Sequence, residues 1–405
     1  MKNIEKIITN CQICKKKLVK LFSLGSHPLC DDLIKVNKKE KNLTYPIELI
    51  YCKDCLIVYQ KYQIKHKILF PKKYHYRGGL TKDVVDGQKI LVNSIIKKYG
   101  NLKNKKILDI GCNDGTLLNF FKREGAITYG IEPTNAAKEA SSQHKIINSF
   151  FNYENIKLIK KRFNNIDYIT FTNVFAHINN LNDTLKCLKE LINEKTIIII
   201  ENHYLGSVID KKQIDTFYHE HPRSYSLKSL SLIAKKLNLN LEYFEFPKRY
   251  GGNVRVFLGK GYSNLDTKKI FKNETSFYKK LKIIHKKIKF WKQKKIKQFD
   301  YLNKKHGSLA AKAYPGRAAI LIKLLGLNRN HIFAIFEKPN SKKIGNYVPG
   351  TRIPIVSDKN LQKQINTKAP IINLAWHIPS EIKKYLRSQK VKNKIINIIE
   401  NNDFT

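Results

Sequence analysis

Two pairs of cysteines, each with two residues between them, are the first residues whose spacing indicates a particular chemistry. They are Cys11 and Cys14 in CQIC, and Cys52 and Cys55 in CKDC. Each pair can supply one edge of a tetrahedron around Zn²⁺, so two pairs complete a four-cysteine site. Because four thiolates leave no open coordination position, the predicted metal is structural. Cys30 has no nearby cysteine in the sequence, and we expect it to be a core residue.

A second chemical pattern is LDIGCNDGTLL, in which a buried strand ends in a Gly-rich turn before a helix. Asn113 takes the place of the middle glycine of G-x-G-x-x-G, which argues against a pyrophosphate cradle and therefore against NAD. Glu132 ends the next strand, where an acid can accept hydrogen bonds from both ribose hydroxyls of an adenosine. The pattern predicts S-adenosylmethionine as cofactor. The residues expected to contact it are Asp109, Gly111, Asn113, Asp114, Gly115, Glu132 and Asn173.

The segment QIDTFYHEHPRSYS carries four adjacent side chains that can exchange protons or hydrogen bonds. They are Tyr218, His219, Glu220 and His221. A further histidine, His177 in NVFAHI, follows a strand at the edge where α/β folds bind ligands. Taken alone, these residues are equally compatible with an ordinary polar loop.

The elements that must position these groups fall into three parts. Short β-like pieces occupy residues 1–75, around the cysteine pairs. Strands and helices alternate over 76–262, which predicts a parallel sheet with helices on both faces. Over 263–405, a long basic helix has an apolar stripe at 4, 3, 4, 3 spacing and precedes a smaller α/β unit. That stripe consists of Phe277, Leu281, Ile284, Ile288 and Trp291.

The composition limits the possible partners. The chain has 405 residues and a net charge of +45, but its lysines are spread along the whole length. This distribution favours a solvated lysine-rich surface, so charge alone does not predict a nucleic-acid partner. No apolar run of about 18 residues occurs, and the first residues lack the apolar core of a secretory signal. We expect a cytoplasmic protein without a membrane partner, and a monomer, although the sequence leaves the oligomeric state open.

Several motifs together resemble one family, the C-methyltransferases of nucleotide-linked 4-keto-deoxysugars. They are the paired cysteines, DIGCNDGTLL, NVFAHI, YHEH, GGNVR, GNYVPGTRIPI and LAWHIPSEI. The resemblance covers essentially the whole chain. It implies an α/β fold with a Rossmann-like class I methyltransferase core, a small N-terminal zinc module and a C-terminal α/β domain. It also implies a nucleotide-sugar substrate, methylated on carbon, with C3 as the expected position.

The resemblance assigns roles to the reacting residues. His221 would be the base that removes the proton next to the ketone, a role suited to imidazole. Tyr218 and His177 would orient the sugar or stabilise the enolate oxygen, and Glu220 would hold a histidine in the right tautomer. The expected substrate contacts are Tyr76, Gly252, Asn253, Arg255 and Arg317, with Lys342 or Lys343 behind the two arginines.

This chain departs from the family pattern in its C-terminal half. Serine is usual where Asn253 stands, and lysine followed by glycine where Arg317 and Ala318 stand. The family's usual asparagines are replaced by Lys323 and His377. These changes leave the nucleotide and the sugar open.

Three alternative functions remain at this stage. An O-methyltransferase of a related sugar would use the same domains. A zinc-containing RNA methyltransferase would need a catalytic cysteine motif or an Asn-Pro-Pro-Tyr-type loop, and the sequence shows neither. A non-catalytic zinc protein that binds nucleic acid would leave Glu132 and YHEH without a purpose.

Overall fold

The computed structural model describes residues 3–400 and 402–404. Twenty strands form three large sheets and one small pair. In chain order they are β1 (Ile4–Ile7), β2 (Val19–Pro28), β3 (Ile34–Lys35), β4 (Thr44–Cys52), β5 (Ile57–Gln60), β6 (Tyr62–Ile64), β7 (Lys106–Ile110), β8 (Ile127–Ile131), β9 (Lys145–Ile147), β10 (Tyr168–Thr172), β11 (Ile197–His203), β12 (Arg223–Ser224), β13 (Asn240–Glu245), β14 (Asn253–Gly259), β15 (Leu309–Lys312), β16 (Ile332–Glu337), β17 (Asn346–Tyr347), β18 (Pro354–Ser357), β19 (Ile371–Asn373) and β20 (Ile395–Asn397).

Thirteen α-helices accompany these strands in the described residues. They are α1 (His66–Leu69), α2 (Lys82–Tyr99), α3 (Thr116–Arg123), α4 (Ala137–Ala140), α5 (Ile156–Arg162), α6 (Leu181–Leu191), α7 (Leu205–Asp210), α8 (Leu227–Lys236), α9 (Lys268–Glu274), α10 (Phe277–His306), α11 (Ala318–Leu325), α12 (Leu361–Gln364) and α13 (Pro379–Ser388).

The central sheet has the strand order β13-β14-β11-β10-β7-β8-β9. β7, β8, β9, β10 and β11 are parallel, as the alternating sequence pattern predicts, whereas β14 runs antiparallel to β11 and to β13. Its middle strands β7 and β11 are buried over nearly their whole length, and β11 begins with four isoleucines, which is typical of a sheet covered on both faces. The chain crosses from one side of β7 to the other after β9, so a crevice opens at the carboxyl ends of β7 and β10.

Two short strands link the N-terminal part of the chain to the rest. β12 lies two residues beyond His221 and pairs with β5 in the sheet that carries the second cysteine pair. β3 pairs with β17 at the edge of the C-terminal sheet. The sheet that carries the second cysteine pair therefore fixes the position of Arg223 and Ser224, the strand that follows YHEH. The pairing of β12 with β5 crosses the predicted boundary at 75/76, and the pairing of β3 with β17 crosses both this boundary and the one at 262/263. The three predicted parts therefore share sheets, and their boundaries remain predictions.

The C-terminal sheet has the order β20-β19-β15-β16-β18-β17-β3 and is parallel from β20 to β18. The long helix α10 comes before it and packs against α7, β2 and α11. The predicted stripe is confirmed, because Phe277, Leu281, Ile284, Ile288 and Trp291 are all buried. None of the helices in the described residues combines the length and the apolar character that a membrane span requires.

Candidate active site and metal centre

The four predicted metal ligands meet at one point. The Sγ atoms of Cys11, Cys14, Cys52 and Cys55 all lie within 4.8 Å of one another. Cys11 and Cys55 are 3.8 Å apart, and Cys14 and Cys52 are 3.5 Å apart. A tetrahedron with Zn–S bonds of about 2.3 Å has edges of about 3.8 Å, so the thiols fit a zinc ion. The set is complete without water, which makes the centre structural.

Local backbone geometry explains why each pair can converge. The amides of Ile13 and Cys55 lie 3.4 Å from the Sγ atoms of Cys11 and Cys52, as expected for donors that stabilise a thiolate. Each turn closes with a residue at positive φ, Lys15 at 67° and Leu56 at 54°. The Sγ of Cys11 also lies 3.3 Å from the buried Tyr59 hydroxyl. Short-range turns thus preform each half of the site.

The cofactor loop follows β7 and has the backbone that its sequence predicts. Gly111 has φ 72°, and an added Cβ would lie 2.6 Å from Val174, so a side chain there would be strained and crowded. Gly115 has φ 79° and precedes the first turn of α3. The amides of Gly111 and Cys112 donate to the carbonyl of Ile131, at 2.7 and 3.2 Å, so the loop is held against the end of β8.

Glu132, directly after β8, joins the glycine-rich loop to the turn that follows its own strand. One carboxylate oxygen accepts from the amide of Asn113 at 3.0 Å, and the other accepts from the amide of Thr134 at 2.9 Å. Asp109 instead accepts from Thr170 on β10 at 2.6 Å. Burial raises the pKa of Asp109 to about 7, against the lowering effect of that hydrogen bond. The carboxyl group of Asp109 therefore joins β7 to β10 through this hydrogen bond. Its contact with the cofactor remains a prediction.

Asn113 and Asp114 hold a neighbouring segment of the chain. The Asn113 Oδ1 accepts from the amide of Gly78, and the Asp114 Oδ2 accepts from the amide of Gly79, both at 2.9 Å. Arg77 in the same segment donates to Glu139 at 2.7 Å. This strap, residues 76–79, lies across the glycine-rich loop and brings the exposed Tyr76 to its edge. The side chains of Asn113 and Asp114 therefore hold this strap against the glycine-rich loop, a role that the sequence pattern did not indicate.

We predict that Glu132→Gln weakens binding of S-adenosylmethionine. The change removes the negative charge and leaves one oxygen where two now accept from loop amides. Loss of such a charged hydrogen bond raises Kd roughly ten- to a hundredfold. Isothermal titration calorimetry would measure Kd beside Glu124→Gln, an exposed carboxylate at the end of α3 that should bind normally. Equal affinities of all three proteins would contradict the assignment.

A group of aromatic rings surrounds His221. The ring centroids of Tyr218, His177 and His203 lie 4.3, 4.9 and 5.4 Å from that of His221. His177 ends a 3-10 turn, Phe175–His177, which follows β10, and His203 ends β11. The structure therefore brings together three of the four predicted catalytic side chains. His203 was missed, although its place at a strand end in IIIIENH was an available signal.

Backbone carbonyls select the tautomers of both predicted catalytic histidines. The Nδ1 of His221 lies 3.0 Å from the carbonyl of Thr216, and the Nδ1 of His177 lies 2.6 Å from the carbonyl of Glu220. A carbonyl only accepts, so each Nδ1 carries a proton, and the Nε2 of the neutral His221 ring is an unprotonated acceptor. Burial holds the pKa of His221 well below its usual range, and His177 and His203 add to this effect. His221 is therefore neutral near pH 7 and can accept a proton.

The role expected of Glu220 is corrected by these contacts. Its backbone carbonyl orients His177, and its side chain orients neither histidine. Instead the carboxyl group is buried, and burial together with the charge of Asp31 raises its pKa well above the usual range. Asp31 itself is paired with His75 at 3.2 Å. Glu220 thus belongs to an acidic group outside the histidine cluster.

The predicted substrate residues Asn253 and Arg255 are fully buried in the described structure. Arg255 is paired with Glu201 at 2.6 Å and also with Glu245. Asn253 donates to Glu201 at 2.9 Å and to Asn173 at 3.2 Å. Because two carboxylates already neutralise Arg255, a phosphate contact by this residue does not agree with the structure.

Gly252 and Arg317 likewise have structural partners. Gly252 has φ 122°, and an added Cβ would lie 2.4 Å from the Ser207 hydroxyl. Arg317 donates to both oxygens of Asp215, at 2.8 and 3.1 Å, and Trp376 donates to the same carboxylate at 3.0 Å. The carboxylate of Asp215 therefore neutralises the charge of Arg317 within the protein. The phosphate contact expected of Arg317 does not agree with this pairing.

The crevice, the acidic residue at the end of β8 and the loop between β7 and α3 define a class I S-adenosylmethionine-dependent methyltransferase. Three family models match successive parts of the chain: "Putative zinc binding domain" over residues 11–70, "Methyltransferase domain" over 89–243, and "C-methyltransferase C-terminal domain" over 249–399. The chain belongs to the C-methyltransferase family that combines these three domains. S-adenosylmethionine is its methyl donor, and the four cysteines form its zinc centre.

Individual proteins are similar to the whole chain or to part of it. The chain is 22% identical over 397 residues to C-methyltransferase NovU of Streptomyces niveus, covering 94% of this chain and 93% of that protein. It is 27% identical over 116 residues to a ubiquinone biosynthesis O-methyltransferase of Haemophilus ducreyi, covering 27% of this chain and 49% of that protein. A solved S-adenosylmethionine-dependent methyltransferase from Archaeoglobus fulgidus is 20% identical and covers 50% of this chain and 91% of its own, with a TM-score of 0.33.

Proposed function

We propose that the enzyme methylates carbon, C3 by expectation, in a nucleotide-linked 4-keto-deoxysugar. The observation that carries this proposal is the neutral His221 with an unprotonated Nε2 among His177, His203 and Tyr218. A ketone acidifies the adjacent C–H bond, so a neutral imidazole is a suitable base for it. Family membership and the curated relative support methyl transfer to carbon.

In the proposed reaction, the Nε2 of His221 takes the proton from the carbon beside the ketone. The electron pair of that C–H bond moves into the enolate. Burial raises the pKa of Tyr218 well above its usual range, so its hydroxyl stays protonated and can donate to the enolate oxygen. When S-adenosylmethionine is bound, the enolate carbon would take its methyl group: the new C–C bond forms as the methyl–sulfur bond breaks, and that electron pair leaves with sulfur as the neutral thioether S-adenosylhomocysteine. His221 afterwards releases its proton to solvent.

Two backbone contacts narrow the role of His177. Its Nδ1 lies 2.6 Å from the carbonyl of Glu220, and its ring also has a hydrogen bond with the backbone of Asn173. Because backbone carbonyls already accept from this ring, it has less capacity to donate to an enolate oxygen than the Tyr218 hydroxyl has. We therefore assign enolate stabilisation to Tyr218 and sugar orientation to His177.

The nucleotide half of the substrate needs a cation other than Arg255 and Arg317. Lys343 is the better candidate, because its Nζ donates to the carbonyl of Tyr314 at 2.8 Å and, among the described residues, is in no salt bridge with a carboxylate. Its charge helps to lower the pKa of Asp31 and opposes the rise in the pKa of Glu220 that burial causes. Lys343 therefore lies near the acidic group that includes Glu220, the residue directly before His221 in the chain.

The expected pH dependence follows from the lowered pKa of His221. A base whose pKa lies below the ordinary value of 6.5 stays unprotonated as the pH falls through 6.5. The acid limb of kcat/KM should therefore lie below pH 6.5, with activity constant from there to neutrality. Initial rates over this range would measure it, with thermal stability followed in parallel because other buried histidines protonate in acid. An acid limb at or above pH 6.5 would contradict the assignment of His221 as a buried neutral base.

The direct test combines the purified enzyme with S-adenosylmethionine and a dTDP-4-keto-6-deoxysugar in deuterated water. Mass spectrometry follows the gain of a methyl group and of deuterium, and NMR identifies the methylated atom. We expect a new C–CH₃ bond beside the ketone and, without cofactor, deuterium exchange at the same carbon. A methyl group on oxygen would replace this proposal with O-methylation. No reaction, with normal cofactor binding, would reject this substrate and leave the methyltransferase class unchanged.

A further inference from the structure

The outer face of α10 differs from the rest of the protein surface. Its 30 residues include twelve lysines and one acid, Asp300, whereas the whole chain has 77 lysines and arginines in 405 residues. The lysine density of the helix is thus about twice the basic density of the chain. A general enrichment in lysine accounts for the chain average but not for this local excess.

Three large apolar side chains are exposed on the same face. Ile283 is 44% exposed, Phe290 is 70% exposed and Tyr301 is 63% exposed. At 100° per residue these positions fall within about 20° of one another around the helix axis. They form a ridge on the side away from the buried stripe of Phe277 to Trp291. Single exposed apolar residues are ordinary; these three share one face of one helix, with about 10 Å and 16 Å between neighbours along its axis.

Lysines flank this ridge on both sides. By the same angular spacing, one flank has Lys279, Lys286, Lys297 and Lys304, and the other has Lys287, Lys294 and Lys305. Asp300 points away from the ridge and lies 3.4 Å from His331. Lys294 has Asp403 at 3.4 Å, a long contact for an ion pair. The flanks are therefore strongly positive.

We propose that this ridge and its lysines bind the surface of a membrane that contains anionic phospholipid. The helix extends over about 45 Å. It packs against α7, β2 and α11, and Asn303 near its end donates to the carbonyl of Asn330, so one side of it is held against the protein and the exposed side can lie against a bilayer. The apolar ridge would enter the headgroup region while the lysines contact lipid phosphates. Charge complementarity selects the anionic lipid, and the ridge favours a bilayer over a nucleic-acid duplex, whose phosphates attract cations but whose bases are stacked inside and do not contact exposed apolar side chains.

The test is co-sedimentation of the full-length protein with vesicles of phosphatidylcholine, with and without phosphatidylglycerol. The wild type should sediment with the anionic vesicles only. The combined change Ile283→Ser, Phe290→Ser and Tyr301→Ser should lower the partition coefficient by about tenfold or more. The combined change Lys286→Gln, Lys294→Gln and Lys297→Gln should lower it roughly a hundredfold.

A matched control separates the ridge from a general loss of apolar surface. Tyr262 is 89% exposed and lies outside α10, so Tyr262→Ser should bind anionic vesicles as the wild type does. Thermal melting of every variant shows that the fold is kept. Three results would overturn the proposal: no sedimentation with anionic vesicles, equal sedimentation with neutral ones, or tight binding to duplex RNA that the serine changes leave unaltered while vesicle binding is absent.

Discussion

His221→Asn should lose methyl transfer by about a hundred- to ten-thousandfold, the usual contribution of a positioned general base. Asparagine can keep a hydrogen bond to the carbonyl of Thr216, since its amide donates as Nδ1 does. It has no basic atom to take the place of Nε2. The loss should therefore appear in kcat with little change in Kd for S-adenosylmethionine. Single-turnover rates and calorimetry on the same protein would separate these quantities.

His219→Asn is the matched control for this change. His219 lies two residues away and is also buried, but its Nε2 contacts the carbonyl of Tyr45 at 3.0 Å in the N-terminal sheet. Its substitution should lower the melting temperature while most of the catalytic rate is kept. If both variants lose activity equally, or if His221→Asn retains it, His221 is not the base. Deuterium exchange into the substrate should be lost only with His221→Asn.

Removal of zinc should destabilise the enzyme severely and abolish its activity. Apparent binding free energies of structural zinc are on the order of 10 kcal/mol or more, which is comparable to the whole stability of a domain. Without the ion, the four thiols, three of them buried, would lose the contact that holds β4 and β5 to the first cysteine turn. β5 pairs with β12 through Arg223 and Ser224, directly after YHEH. Loss of the centre should therefore displace His221 as well as unfold the N-terminal sheet.

Cys52→Ser provides the same test without a chelator, with zinc content measured by elemental analysis and stability by calorimetry. Cys187→Ser is the control, because Cys187 is fully buried on α6 and lies outside the metal-binding group. It should keep its zinc and lose no more than the ordinary cost of a buried polar substitution. A zinc-free protein that melts and reacts like the wild type would refute the structural role.

Local patterns predicted much of the fold. The strand, Gly-rich turn and helix at residues 106–123 follow their sequence, as does the apolar stripe of α10. Hydrophobic periodicity and turn chemistry act over a few residues, so the chain itself contains this information. The sequence did not predict that β14 is antiparallel or that β3 and β12 join distant sheets. Strands of two residues have too few side chains to show a pattern.

The site shows the same division. The sequence alone determined the zinc ligands and the turn of the cofactor loop, because each depends on residue types at short spacing. The YHEH segment was singled out by the family resemblance, since its residue types alone are also compatible with an ordinary polar loop. Only the tertiary structure decided that Glu201 neutralises Arg255 from 54 positions away and that Asp215 neutralises Arg317 from 102 positions away. It also decided that His203 joins His221. The availability of a charge for a ligand depends on its neighbours in space, and those neighbours come from strands and loops that lie far apart in the chain.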